Sequence, residues 1–297
     1  MKAIIKTPEG ITLAEIAIPQ PKANEVLIKI QLTGLCRTDI YAATGKIKVK
    51  DGTILGHEFS GTIEKLGRNV LQFKLGDRVA VMPIMPDKDG NYIGDMLGIN
   101  VHGAFAEFVC VPAQLVFKIP KKMDFRKAAY AEPVAASLAV LQAPIQKKQR
   151  GIIIGTSRIA TLTLRIMRLY GFTSVRMITP ERLQTIKNDS CDFAIETFIN
   201  NEILNEMVRI VKPKGTIVLK SRQYTPAPLV VATVVKKDLT LCGTNYGSFK
   251  ESLALLTNKK LKVDDILGKT FSLEEGVALL KGTEWEHGNR KIFFSAT

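Results

Sequence analysis

The chain has 297 residues, of which 46% are hydrophobic and 24% are charged. This length favours two domains, and this composition excludes a disordered chain. The formal net charge of +14 suits a nucleic acid, an acidic partner or an anionic substrate, but the basic residues are scattered over the whole chain, so a basic solvated surface is the favoured interpretation and nucleic-acid binding is not expected.

The sequence also indicates a reducing compartment. It contains no apolar run long enough to cross a bilayer, and its first residues lack the long apolar segment of a signal peptide. The cysteines stand far apart, with no close pair, at positions 36, 110, 191 and 242. Disulfides are therefore not expected, and we predict a soluble cytoplasmic protein.

The first part of the chain, up to about residue 120, is predicted to be all-β. A strand and a Pro-Glu-Gly turn begin it, and short β-branched runs follow at 25–30, 61–67, 77–81 and 105–111. Several short strands of this kind are typical of a small barrel.

The pattern then changes. Residues 124–143 are alanine-rich and helical in pattern, a strand, turn and helix follow at 150–169, and another strand at 174–178. Strands that alternate with helices predict a parallel, doubly wound sheet. The last predicted elements are two helices and a strand, at 249–256, 273–281 and 290–294.

Two short glycine-bounded motifs are the strongest chemical signal, GLCRTD at 34–39 and GHEFSG at 56–61. Thiolate, imidazole and carboxylate groups are the ligands that zinc uses where it keeps a position open for substrate. From the residues alone, a purely structural role stays open for each motif. Cys36 could be a buried thiol, and His57 a hydrogen-bonded core residue.

These motifs belong to a longer set: GLCRTD, GHEFSGTIEKLG, GDRVAVMP, HGAFAEFVCVPAQLVFKIP, KKDLTLCGTNYGS and the closing KIFF. The set closely resembles the zinc-dependent medium-chain dehydrogenase/reductase superfamily, which includes alcohol, polyol and threonine dehydrogenases. The resemblance covers nearly the whole chain. It implies a GroES-like β-barrel catalytic domain over 1–132 and 247–297, and a Rossmann-like nucleotide-binding domain over 133–246.

The resemblance implies one catalytic zinc ion. Its ligands are Cys36 and His57, whose separation, 57 − 36 = 21, matches the family without a gap. Glu132 resembles the Glu-Pro of the polyol branch and is expected as the third ligand, directly or through water, with Glu58 as an adjacent carboxylate. The family's structural zinc lobe is not expected, because residues 82–94 contain no cysteine.

Three further residues take catalytic roles by resemblance. Thr38 lies at the family's hydroxyl relay position, and Asp39 resembles the carboxylate that orients the ligand histidine. The alternative for both is capping at the end of a strand. Tyr41 stands where many members have a histidine for proton exit, so either its hydroxyl relays the proton or the proton leaves by another route.

The dinucleotide turn is altered. Dinucleotide folds need glycines where a strand turns into a helix, so that the backbone can approach the pyrophosphate. Here only Gly155 remains; Ser157 replaces the second glycine and Ala160, an accepted substitute, the third. We include Arg158 among the expected cofactor-binding residues.

The ribose position has no acid. Counting from Gly155, 179 − 155 = 24, and the residue at that place is Thr179, with Arg182 nearby. This weakly favours NADP over NAD. By resemblance Arg37 and Lys291 bind the pyrophosphate, although both could be surface cations.

A strand and a helix of the nucleotide domain are predicted to be deleted after residue 183, since the next strand-like run begins at 191. The leading hypothesis is a zinc- and NAD(P)-dependent dehydrogenase of a secondary alcohol or polyol-like substrate. The alternatives are a zinc enzyme of this fold with non-redox chemistry and a non-catalytic binding member. Residues 238–243 resemble the family's intersubunit edge strand, which predicts a homodimer or homotetramer.

Overall fold

A computed structural model of the chain describes residues 1–200, 202–222, 224, 226–282 and 290–296. The chain divides into two compact units. The antiparallel unit comprises Met1–Pro133, Phe249–Lys259 and Val263–Thr297, and the parallel unit comprises Val134–Ser248 and Lys260–Lys262. Positions 283–289 and 297, which fall in the predicted catalytic range 247–297, lie outside the described residues.

The strands follow one another in chain order as β1 Lys2–Thr7, β2 Gly10–Glu15, β3 Glu25–Gly34, β4 Glu58–Leu66, β5 Arg78–Val81, β6 Ile84–Pro86, β7 Tyr92–Met96, β8 Phe108–Pro112, β9 Val116–Lys118, β10 Gly151–Ile154, β11 Val175–Ile178, β12 Cys191–Glu196, β13 Val211–Leu219, β14 Thr240–Gly243, β15 Leu267–Ser272 and β16 Lys291–Ser295. The helices are α1 Arg37–Ala43, α2 Phe125–Ala129, α3 Ala131–Leu138, α4 Arg158–Leu169, α5 Ile203–Ile210, α6 Val231–Lys236, α7 Phe249–Thr257 and α8 Leu273–Lys281.

The antiparallel unit is built on a seven-stranded sheet of order β15-β16-β3-β4-β5-β9, with β8 also paired to β3. Strand β3 lies at its centre, and its side chains are buried along most of its length. Apolar side chains of β3, β4, β5 and β8 form one core, which includes Val26, Ile28, Phe59 and Val79. The long pairing of β3 with β4 aligns Gly34 with Glu58, and so brings the two glycine-bounded motifs together.

The parallel unit is a five-stranded sheet of order β11-β10-β12-β13-β14, in which every pairing is parallel. Strand β10 is buried at all four residues, as expected of a strand covered on both faces. From β11 the chain passes through a 3-10 segment, Pro180–Thr185, directly to β12. The described part of the chain has no strand or α-helix between β11 and β12, which agrees with the predicted deletion.

Most predicted elements are confirmed. Helices α4 and α8 have the predicted bounds, and β10, β11, α7 and β16 differ from prediction by one to two residues at an end. The run at 105–111 is shorter as a strand, because Phe105 and Ala106 form backbone contacts with Leu55 and Ala3 instead of joining β8. Residues 124–143 form α2, α3 and a 3-10 turn rather than one helix.

Residues 82–94 contribute to a two-stranded hairpin of β6 and β7. This is where the structural zinc lobe would lie in the family that the sequence resembles. The Asp87 carboxylate closes the turn of the hairpin by accepting hydrogen bonds from the backbone of Asp89 and Asn91. In the described ranges, the helices are all too short or too polar to cross a membrane.

Candidate functional site

The first motif lies where β3 ends and α1 begins. Cys36 is the residue that precedes the first turn of α1, and it is half-buried. Its backbone N–H donates to Asp39 Oδ2 at 2.8 Å. Because Asp39 is fully buried, this bond fixes the backbone that carries the Cys36 thiol.

The second motif begins two residues before β4 and continues into this strand. Gly56 has φ +92°, and a Cβ at this position would overlap with the ring of Phe105. A left-handed backbone in so tight a contact requires glycine. The turn at Gly56 places His57 at the start of β4, beside the end of β3 and the first motif.

Asp39 links the two motifs. Its Oδ1 lies 2.9 Å from His57 Nδ1, while its Oδ2 accepts the Cys36 N–H. With Nδ1 donating to the carboxylate, Nε2 of the neutral imidazole presents its lone pair to a metal. Asp39 therefore makes both kinds of contact at once: one oxygen caps the helix and the other holds the histidine.

A potential metal-binding group follows from this arrangement. Ligand atoms of Cys36, His57 and Glu58 all lie within 4.8 Å of one another. His57 and Glu58 are 1% and 2% exposed. We call these three residues the metal cluster. They present one sulfur, one nitrogen and one oxygen donor, a mixture that zinc accepts at catalytic sites.

Lys291 also belongs to this centre. Its ammonium forms an ion pair with Glu58 Oε2, and both side chains are buried. Gly34 leaves the room for the pair, since a Cβ there would lie 2.6 Å from Lys291 Cε and 2.9 Å from Glu58 Oε2. Lys291 is therefore not a surface cation, and its contact in this structure is with Glu58. Its predicted role at the pyrophosphate stays a prediction.

The charges of the cluster favour a thiolate at Cys36. Burial alone raises the pKa of this thiol, but the charge and hydrogen bond of His57 and the charge of Lys291 together lower it to about 6. Burial raises the pKa of Glu58 to about 7 against the opposing charge of Lys291. The thiolate is the form of cysteine that binds metals, and His57 becomes a ligand on releasing a proton, as metal binding to histidine requires, so the donor set fits zinc.

Glu132, the expected third ligand, is not part of the metal cluster. It is 5% exposed and lies at the start of α3. Glu58 instead completes the three-residue group. Sequence spacing could not show which glutamate joins the cluster. Glu58 lies near Cys36 because the pairing of β3 with β4 aligns Glu58 with Gly34. Ligation by Glu132, directly or through water, stays a prediction.

The expected catalytic residues surround Cys36. Thr38 Oγ1 lies 3.8 Å from the Cys36 sulfur, so its hydroxyl is beside the metal cluster. Tyr41 lies one turn further along α1 and is half-buried, with the Lys46 ammonium 5.2 Å from its ring centroid. Arg37 begins α1 and is also half-buried.

The altered dinucleotide turn joins β10 to α4. Gly155 has φ +128°, and a Cβ there would overlap with Thr197 Oγ1, so the glycine is required. Ser157 precedes the first turn of α4, its side chain makes no capping hydrogen bond, and Arg158 is the first helical residue. Ala160 is fully buried, as close packing of helix on strand demands.

A carboxyl lies beside the expected ribose position. Thr179 follows β11, and its side chain hydrogen-bonds to Glu181, which lowers the pKa of that carboxyl. Glu181 thus adds a carboxylate beside Thr179, and the expected weak preference for NADP stays a prediction. Arg182, the expected partner of a 2′-phosphate, is exposed in the same 3-10 segment. A residue two places beyond the counted one is visible only when the backbone turn is known.

A buried carboxylate at the end of β12 was also missed. Glu196 is fully buried, and its Oε1 accepts backbone hydrogen bonds from Lys220 at 2.6 Å and Ser221 at 2.7 Å. Its Oε2 accepts the Ser221 hydroxyl at 2.6 Å. The sequence offered one signal, an acidic residue at the end of an apolar strand. A carboxylate buried there needs hydrogen-bond donors such as those of Lys220 and Ser221.

Comparison with known proteins agrees with this geometry. Residues 22–121 match the model of the alcohol dehydrogenase GroES-like domain. The starvation-sensing protein RspB of Escherichia coli K12 is 26% identical, over 92% of this chain and 93% of its own. D-xylulose reductase of Saccharomyces cerevisiae is 25% identical, over 94% and 93%.

The chain also matches a structure from Sinorhizobium meliloti 1021, assigned as a zinc-binding dehydrogenase and bound to NADP. The TM-score is 0.90 at 22% identity, over 99% of this chain and 98% of the other. This similarity confirms the predicted fold class, in which a GroES-like domain accompanies a Rossmann-like parallel sheet.

Proposed function

Because the chain belongs to the zinc-dependent medium-chain dehydrogenase/reductase superfamily, we propose that it transfers hydride between a secondary alcohol or polyol-like substrate, or its ketone, and NAD(P). The observation that carries this proposal is the metal cluster of Cys36, His57 and Glu58, with Asp39 holding His57. The antiparallel unit would be the catalytic domain and the parallel unit the nucleotide-binding domain.

One catalytic zinc ion would be held by Cys36 and His57, with a carboxylate from Glu58 or Glu132. When bound, zinc supplies a Lewis acid that lowers the pKa of an alcohol hydroxyl. Asp39 keeps the His57 ring in the tautomer that binds metal. Lys291 offsets the negative charge of Glu58 and so limits the rise that burial causes in the pKa of this carboxyl, which reaches about 7.

Thr38 is the proposed first acceptor of the substrate proton. Its hydroxyl can accept a proton on one lone pair while it donates its own proton onward. Tyr41, on the same helix, would pass the proton toward solvent. Both assignments rest on the position of α1 directly after Cys36.

The nucleotide would bind at the carboxyl edge of the parallel sheet, where doubly wound folds bind their ligands. Gly155, Ser157, Arg158 and Ala160 would contact the pyrophosphate at the N-terminus of α4, with Arg37 and Lys291 as further basic groups. We expect only a slight preference for NADP over NAD. Thr179 adds no charge and Arg182 favours a 2′-phosphate, but Glu181 opposes it.

The test combines metal analysis with nucleotide titration on the same preparation. Protein purified without chelator should contain about one zinc per chain and should bind NADPH or NADH. Oxidation of polyols such as sorbitol or xylitol should then depend on zinc. Zinc without binding of either nucleotide at millimolar concentration would favour the non-redox alternative, and absence of zinc would favour a non-catalytic binding protein.

We also propose that the chain assembles as a homodimer or homotetramer. Strand β14 ends the sheet order of the parallel unit within the described residues, and its Leu241 is 36% exposed. An exposed apolar edge strand can pair with its copy. Light scattering should give a dimer or larger, and Leu241→Lys should shift it toward monomer. Leu71→Lys, at an exposed leucine of the antiparallel unit, is the control.

The remaining parts of the proposal concern location and substrate charge. We place the protein in the cytoplasm because its cysteines are far apart in sequence and are free in the structure. An anionic, for example phosphorylated, substrate would fit the net charge of +14. Assays should therefore compare each polyol with its phosphate ester at two ionic strengths.

A further inference from the structure

We propose that the parallel unit recognises mainly the nicotinamide mononucleotide half of its cofactor, so that reduced nicotinamide mononucleotide (NMNH) binds nearly as well as NADPH. This inference rests on the proposed function, and it adds a mononucleotide to the cofactors of the site. It follows from an asymmetry between the two halves of the sheet.

A complete dinucleotide fold has two three-stranded halves, each of which binds one mononucleotide. The half formed by β12, β13 and β14 is complete. The other half contains β10 and β11, and β11 is the last strand on that side among the described residues. This is the half whose second strand ends at the adenosine ribose. Its third strand and the preceding helix would flank the adenosine.

The shortened connection is part of the core rather than a loose loop. Leu183 in the 3-10 segment is 2% exposed and packs in the same core as Ile154, Ile203 and Met207. The Arg209 guanidinium holds the segment by donating to the carbonyls of Leu183 and Ile186 and to Asn188 Oδ1, at 2.7 to 2.9 Å.

Glu206 accepts from the same guanidinium, so Arg209 is fixed from both sides. The shortened connection is thus a stable replacement for the missing strand and helix.

The polar groups left at the adenosine end can contribute little binding free energy. Glu181 and Arg182 are both exposed and carry opposite charges. Contacts between exposed charges are screened by water and salt and contribute little free energy. Neither side chain is backed by a strand beyond β11 in the described ranges, so the adenosine phosphate has few fixed partners.

The nicotinamide half is firmly built. The fully buried Glu196 fixes the turn after β13 through three hydrogen bonds from Lys220 and Ser221. Lys220 Nζ also donates to the carbonyl of Ala136 at 2.8 Å. Thr197 Oγ1 donates to the Ile154 carbonyl at 2.9 Å, which joins the ends of β12 and β10. The strand order reverses between these two strands, and such a point is where doubly wound sheets bind ligands.

The test titrates the full-length zinc-loaded protein with NADPH, NADH and NMNH and follows the fluorescence of the reduced nicotinamide. We expect the Kd of NMNH to lie within about tenfold of that of NADPH. We expect 2′,5′-ADP at millimolar concentration to leave the Kd of NADPH unchanged.

A Kd for NMNH more than about 100-fold above that of NADPH, or displacement of NADPH by 2′,5′-ADP, overturns the inference and leaves the proposed function intact. If none of the three reduced nucleotides binds, both fail.

Two variants locate the binding energy. Glu196→Gln should raise the Kd of NMNH and of NADPH by the same factor, because it loosens only the nicotinamide half. Glu181→Gln, the same change at an exposed carboxylate, should leave NMNH binding unchanged. If Glu196→Gln does not fold, Ser221→Ala removes one of the three donors and should act in the same direction. An effect of Glu196→Gln or Ser221→Ala on the binding of NADPH but not of NMNH contradicts the inference.

Discussion

The antiparallel unit buries its polar groups, whereas the parallel unit exposes those at its proposed adenosine end. This difference in burial should set how strongly the removal of each group affects stability or binding. In the antiparallel unit His57, Glu58, Asp39 and Lys291 are nearly inaccessible to water and contact one another. At the proposed adenosine end of the parallel unit, the charged groups Glu181 and Arg182 are exposed. Buried polar networks lose most of their effect when one member is removed, whereas exposed pairs lose little.

The largest effect is expected in the metal cluster. Cys36→Ser replaces the thiolate, so zinc content should fall from about one per chain to near zero. Dehydrogenase activity should fall with it. Inductively coupled plasma mass spectrometry measures the metal. Cys110→Ser, at a thiol whose pKa is raised to about 11 by burial, is the control and should keep its zinc. Full zinc content in Cys36→Ser would remove Cys36 from the site.

The buried ion pair gives the next largest effect. Lys291→Met leaves Glu58 buried without its cation and, above a pH of about 7 where this carboxyl is ionised in the unchanged protein, should lower the free energy of unfolding by about 3–5 kcal/mol. Urea denaturation in the presence of a chelator measures this without a metal contribution. Adding Glu58→Gln should restore part of the loss, because it removes the unpaired charge.

The exposed ion pair between Lys2 and Glu274, 2.6 Å apart, is the matched control for this prediction. Lys2→Met should give no measurable change in stability, since both partners remain hydrated. Equal losses in Lys2→Met and Lys291→Met would contradict the view that burial sets the magnitude.

Asp39→Asn tests the residue that orients the metal ligand. The change removes the charge beside His57 Nδ1 and should lower zinc affinity about 10- to 100-fold. Competition with a chromophoric chelator measures the affinity. Asp51→Asn, at an exposed position, should have no effect. A helix-capping role alone would lower stability in Asp39→Asn but leave the zinc affinity unchanged.

The sequence predicted those parts of the site that depend on local patterns. Cys36 and His57 were identifiable because each lies in a short glycine-bounded motif. The helices α4 and α8 were identifiable because their apolar residues recur with helical spacing. The pairing of Lys291 with Glu58 was not identifiable, because it depends on β16 lying beside β3 and on the space that Gly34 leaves.

In the parallel unit, too, contacts that depend on the fold could not be predicted from local sequence patterns. Counting from Gly155 reached Thr179, but it did not indicate that Thr179 hydrogen-bonds to the carboxyl of Glu181 in the following 3-10 segment. Glu196 was recognisable only as the end of an apolar strand. Its role became visible once the turn after β13 was known to close over it. Contacts made by loop geometry are not encoded in the period of a sequence pattern.

The smallest effect is expected at the dinucleotide turn. Ser157 precedes α4 but makes no side-chain capping hydrogen bond, so Ser157→Gly should cost the helix only a few tenths of a kcal/mol. Without the side chain, the backbone can approach a phosphate more closely. We expect the Kd of both NADPH and NMNH to fall about threefold, because both cofactors carry a phosphate at this turn.

Fluorescence titration of the reduced nicotinamide measures the change, and Thr156→Gly, one residue earlier and exposed, should leave both Kd values unchanged. A rise in Kd in Ser157→Gly would mean that the serine hydroxyl itself binds the phosphate. The turn would then bind phosphate through a serine side chain instead of a second glycine. Removal of a polar group in the parallel unit would then have a larger effect than its exposure implies.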